Sequence, residues 1–287
     1  MTLSSVNGRL RGPAGSSIAK TSGAGTAFTV ANSVSGTTVT YAGTLNVTSG
    51  AGVSLSSNTG STINFNGGVT LSTGANAAFA ATGGGTVTVT GAANTLTTTQ
   101  GTALTVTGTN IGASGLTFRS ITAGTAATGP TNGIVLNNTG SSGGLTVTGT
   151  GGAQSGGTIQ NTTGDGISLL STRNVSLTSM NIQTTGGSGI NGTGMTNFSF
   201  VNGAIGGAGN AGFESAIAFN GSGSGLGNNI AGTLTVTGNT FTNPFYSGLD
   251  IQSDNGTVTN ATVSNNTVTN PGFSGVNFVG TNNASTV

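Results

Sequence analysis

Cysteine, histidine and tryptophan are absent from this 287-residue chain, and charge is nearly so: five Lys or Arg and four Asp or Glu. Without cysteine there is no disulfide framework, which fits either redox compartment. A net charge of +1 leaves no electrostatic footprint for nucleic acid or for an acidic membrane surface. Arg9, Arg11 and Lys20 read as a small, unpatterned, solvated basic end. No run of 18 apolar residues occurs, so no helical membrane span and no membrane insertion of this segment is expected. The opening MTLSSVNGRLRGPAG lacks the apolar core of a signal peptide, so any signal and anchor are expected outside this segment.

What the chain does have is glycine, 55 residues of it, together with abundant Ser, Thr and Asn. Such compositions often describe linkers or disordered segments. Disorder, however, goes with low hydropathy and high net charge, and here the mean hydropathy is slightly positive. Short alternating β-branched runs such as Thr86–Thr90 (TVTVT) and Leu145–Thr148 (LTVT) are strand chemistry. No stretch combines a 3.6-residue period with good helix formers, so no substantial helix is expected.

The runs are organised by a repeat. Asn243–Ile251 reads NPFYSGLDI, and Asn270–Phe278 reads NPGFSGVNF. A small residue followed by an aliphatic one recurs upstream at Gly133-Ile134, Gly166-Ile167, Gly189-Ile190 and Ala216-Ile217, and continues at Gly248-Leu249 and Gly275-Val276. A second signature follows most anchors, with apolar residues at relative positions 0, 2 and 7. It reads Val175/Leu177/Ile182, Phe198/Phe200/Ile205, Leu234/Val236/Phe241 and Ala261/Val263/Val268, with an upstream match at Leu104/Val106/Ile111. Asn239 and Asn266 fall in the intervening corner, where a left-handed backbone is expected.

Units of this period cannot bury an apolar face alone, but stacked they share one core. The expected fold is therefore all-β: a right-handed parallel β-helix (β-solenoid) of roughly eleven coils, about 50 Å long at a strand spacing of about 4.8 Å. Three stretches are distinguished: 1–35 as a lead-in, 36–131 as a solenoid of irregular short coils without a clear anchor column, and 132–287 as regular coils of about 27 residues. For the middle stretch a β-sandwich is the alternative.

Ile63–Thr98 and Asn132–Gly152 resemble bacterial "beta strand repeat-containing" proteins, and Gly164–Ile182 (GDGISLLSTRNVSLTSMNI) resembles the parallel β-helix repeats within them. The resemblance spans nearly the whole chain and implies an extracellular, surface-attached, autotransporter-like or adhesin-like bacterial protein, not an enzyme. It brings no catalytic motif with it. The partners it implies are a host or cell-surface glycan or protein receptor, and the scarcity of charge leaves little repulsion against self-association into filaments or matrix.

Parallel β-helices also carry glycan-cleaving sites, which need paired carboxyl groups. The acids are Asp165, Glu214, Asp250 and Asp254. They share no column, and Glu214 with Asp250, in adjacent coils, is the only pair that suits such chemistry. Asp250 and Asp254, within Asp250–Gly256, are the candidate metal ligands, although the spacing matches no EF-hand loop and an Asx turn is the simpler reading. No cofactor is expected. Thr-x-Thr runs (Thr86/Thr88/Thr90, Thr105/Thr107, Thr146/Thr148, Thr235/Thr237, Thr257/Thr259) raise ice binding as a lesser alternative, against plain strand propensity. Phe213, Phe245, Tyr246 and Phe273 either line a sugar-binding groove or stack at a coil corner. The expected function is a stiff stalk or adhesin rod, with a glycan-binding or glycan-cleaving β-helix as the alternative.

Overall fold

The computed structural model describes every residue except 92, 222–227, 254–257 and 281–287. Among the described residues there are 31 strands and no α-helix. Each coil contributes one short strand to each of three faces. The first face is a sheet of eleven strands, from Thr2–Ser4 to Ser274–Val279, and the second a sheet of ten, from Arg9–Gly12 to Val258–Ser264. The third face consists of two five-stranded sheets. One ends at Ser120–Thr122 and the other begins at Thr158–Gln160, and a bridge between Ala123 and Ile159 joins them.

All strand pairs in the three faces are parallel, in the N-terminal stretch as elsewhere. The chain is thus a parallel β-solenoid, and the β-sandwich alternative for residues 36–131 is overturned. Parallel stacking lets each backbone N–H and C=O find its partner in the coil above or below.

Alternation sets each strand's orientation. In Thr95–Thr98 (TLTT), Leu96 and Thr98 point into the core while Thr95 and Thr97 face outward. The inward side chains form one continuous apolar core from Ala27 to Val258. Rings pack within it: Phe28 on Phe65 at 5.1 Å, Phe65 on Phe79 at 5.6 Å, Phe79 on Phe118 at 6.3 Å, and Phe198 on Phe219 at 5.0 Å. Each fully buried aromatic contributes about 1.5–3 kcal/mol relative to exposure.

The anchor column is the first face. Ile134, Ile167, Ile190, Ile217, Leu249 and Val276 lie directly above one another. The column also continues upstream, where the pairs read Ala27-Phe28, Gly52-Val53, Ala78-Phe79 and Ala103-Leu104. The small residue is a steric requirement of the corner. A Cβ on Gly166 would lie 2.6 Å from the Gly189 carbonyl oxygen and 2.8 Å from Ile182.

The second signature likewise corresponds to real columns: Val175, Phe198, Leu234 and Ala261 on the second face, and Ile182, Ile205, Phe241 and Val268 on the third. Its upstream match is out of phase. Leu104 and Val106 pair with Ile134 and Leu136 on the first face, and only Ile111 lies on the second. The alternation apolar-x-apolar is common to all three faces, so it does not by itself say which face a strand joins.

The second corner also departs from expectation. The left-handed residue is the one before Asn239 and Asn266: Ser179, Asn202, Gly238 and Asn265 hold φ of 54°, 53°, 71° and 54° in successive coils. Asn239 instead turns its amide inward. Its Nδ2 donates to the Phe200 carbonyl (2.9 Å) and to Asn266 Oδ1 (2.9 Å), and its Oδ1 accepts from the Gly203 N–H (2.8 Å). Asn266 Nδ2 repeats the first contact, to the Val236 carbonyl at 2.7 Å. The asparagines form a ladder that satisfies corner backbone groups which the core would otherwise strand.

Candidate functional site

The corner leading from the third face into the first has a fixed beginning and a variable length. Each copy begins with a left-handed residue: Asn161, Thr184, Gly207, Asn243 and Asn270, with φ of 51° to 60°. The segments that follow differ. Between third-face and first-face strands run residues 161–166, 186–189, 209–216 and 243–246. The corner carrying Gly186 and Gly187 matches the one before it column to column (Gln183 to Ile190 against Gln160 to Ile167), whereas the next, from Gly206 to Ile217, is four residues longer. The result is a notch of about 400 Å³, lined by residues of three successive corners, including Asp165, Ser188, Asn191, Phe213, Glu214 and Asn220. Gly187 keeps it open, since a Cβ there would lie 2.6 Å from Asp165 Oδ1.

Asp165 is half-buried in this notch. Its Oδ1 accepts from the Ser188 N–H (2.9 Å) and its Oδ2 from Asn191 Nδ2 (3.1 Å), while Asn132 Nδ2 donates to its backbone carbonyl (2.8 Å). Burial holds its carboxyl above the usual carboxylate value, the hydrogen bonds from Asn191 and Ser188 work against that, and the charge of Glu214 adds to it. Glu214 closes its own loop: Oε2 accepts from the N–H groups of Asn210 (2.7 Å) and Ala211 (2.8 Å).

Asp250 sits behind this pair. It occupies the outward position between Leu249 and Ile251, in register with Ala218 and Asn277, yet is fully buried. Asn220 Nδ2 (2.7 Å) donates to one carboxylate oxygen, Asn277 Nδ2 (2.8 Å) to the other, and Gln252 Nε2 (3.3 Å) to both. It touches the notch only through Asn220, which lines it. The acids brought to one cavity are therefore Asp165 and Glu214, and Asp250 is held in an amide cage beside them. Asp254 lies outside the described residues, as does Thr257. Among the described residues no cluster of three or more His, Cys, Asp or Glu is placed to hold a metal.

Aromatic side chains gather at the same corner. Phe213 lines the notch and meets Tyr246 edge to face at 5.1 Å, and Tyr246 stacks on Phe273 at 4.6 Å with 3° between the planes. Phe213, Phe245 and Phe273 are 47%, 48% and 62% exposed. This stack is what NPFYSGLDI and NPGFSGVNF repeat: Asn243 and Asn270 start the corner, joined by a side-chain hydrogen bond of 3.2 Å, and the ring follows.

The outward column Thr38, Thr62 and Thr86 ends at Asn110. Arg173 Nη1 donates to the Ser141 carbonyl at 2.8 Å, and Arg119 is exposed.

Counting offsets from the anchor hid the pairing of Asp165 with Glu214. They stand two and three residues before their own anchors, but two coils apart, and the coil between them is the short one. The two glycines of that coil were the signal. The fold and site define a parallel β-solenoid with a polar notch at a corner. No protein-family model, curated protein or solved structure matches this chain.

Proposed function

We propose that the chain is a stiff, surface-presenting segment of an extracellular bacterial protein, a stalk or adhesin rod whose corners carry its contacts. The observation that supports this most is the first face, in which eleven strands stack in one parallel ladder over an unbroken core. Stacked coils propagate rigidity along the axis, and variable corners supply specificity without altering the core. The nearly uncharged outer columns also put little electrostatic repulsion between copies, which favours lateral self-association.

The test is adhesion and stiffness of the purified chain. Beads coated with it should be retained on cell surfaces or on each other under flow, and retention should barely change between low and high salt. Beads coated with the heat-unfolded chain should not be retained. Equal retention of folded and unfolded coats, or none by the folded one, would contradict the proposal.

A further inference from the structure

We propose that the notch and the aromatic corner beside it form one binding site for a neutral saccharide. Two complementary surfaces meet there. The notch offers acceptors: Glu214 Oε1 takes no hydrogen bond from the described residues, and each oxygen of Asp165 holds one donor and keeps a second lone pair. No lysine or arginine lines it. What fits is a ligand rich in O–H donors and free of negative charge, which two carboxylates would repel.

The second surface is apolar. Phe213 belongs both to the notch wall and to the ring series that continues through Tyr246 to Phe273. A pyranose ring has this pairing of properties, with hydroxyls on its rim and C–H groups on its face. The volume, about 400 Å³, lies within the range of about 300–1,000 Å³ usual for small-molecule sites. The ring series runs from one corner to the next, with Tyr246 and Phe273 stacked on each other, so an oligosaccharide would place one unit in the notch against the exposed ring of Phe213 and the next along the edges of the stacked rings. This rests on the reading of the solenoid as a surface-presenting rod and specifies what it presents.

The experiment is calorimetric titration of the whole chain with three neutral oligosaccharides (cellohexaose, xylohexaose, mannohexaose) and one anionic one (hexagalacturonate). It is repeated with Phe213→Ala and Glu214→Gln, whose folding is checked by circular dichroism. At least one neutral probe should bind one to one, hexagalacturonate should bind more weakly, and each substitution should weaken binding about tenfold. Failure of all three neutral probes, preference for the anionic one, or unchanged binding in both folded variants would overturn the proposal. Because titration measures neither stiffness nor bead retention, a rod that adheres without binding any probe would refute this site and leave the stalk reading standing.

Discussion

Two regions of the solenoid solve the same stacking problem differently. From Phe28 through Val53 and Phe79 to Leu104, successive first-face residues are 25, 26 and 25 positions apart. From Leu104 through Ile134, Ile167, Ile190, Ile217 and Leu249 to Val276 the steps are 30, 33, 23, 27, 32 and 27. The first and third faces stay in register, and the second shifts register at only three strand pairs, so most of the length difference is pushed out to corners and loops between strands. Uniform coils leave a smooth surface. Unequal ones create relief, and the notch arises where the extended corner 209–216 lies beside the glycine corner 186–189.

This comparison can be broken first at the core, which both regions share. Phe79→Ala removes a fully buried ring packed between Phe65 and Phe118 and should cost about 3–5 kcal/mol in chemical denaturation. A smaller but more discriminating effect is expected at the anchor. Gly166→Ala forces a methyl against the Gly189 carbonyl and should cost about 1–3 kcal/mol. Ala103→Gly, in the uniform region where the methyl is already accommodated and buried, should cost only about 1 kcal/mol. Similar losses at the two positions would mean that the close approach at Gly166 is not a steric limit.

The asparagine ladder belongs to the variable region. Asn239→Ala removes the acceptor of the Gly203 N–H and one donor to the Phe200 carbonyl and should cost about 1–3 kcal/mol, read as a lower melting temperature.

Asp165 gives a pH signature. Its folded pKa lies above the ordinary 3.8, so the stability it contributes is fully present below that value and lost as pH rises through the folded pKa. Relative to Asp165→Asn, the wild type should therefore lose stability from acidic toward neutral pH; a gap independent of pH would contradict the desolvated carboxyl. The smallest effect is expected at the exposed ring. Phe213→Ala should leave stability within about 0.5 kcal/mol, which separates its contribution to binding from any to folding.

The fold class was legible because the anchor and its partner columns repeat apolar character at nearly fixed spacing around each strand. The uniform region was the harder one to read, although its geometry is the simpler. Its anchors carry Ala for Gly and Phe for an aliphatic at Ala27-Phe28 and Ala78-Phe79, residues that meet the same steric and packing demand with different letters. Asn239 was placed at the right corner with the wrong task, because asparagine serves equally as a left-handed residue and as an amide partner for backbone groups. The site was less legible than the fold. Asp165 and Glu214 face one cavity only because a glycine corner intervenes, and that depends on relative corner length across three coils, not on any local motif.

The absence of cysteine allows pairs of spin labels to be introduced cleanly on the outward first-face column Thr29, Ser54, Ala80, Thr105, Val135 and Ser168. Electron–electron distances measured from Thr29 to Thr105, Val135 and Ser168 test most directly whether coil length and axial rise are independent. They should increase in equal steps of about 4.8 Å, including the step from Val135 to Ser168, where 33 residues intervene in sequence. A larger or broadened final step would contradict a continuous first-face ladder whose extra residues are accommodated outside that face.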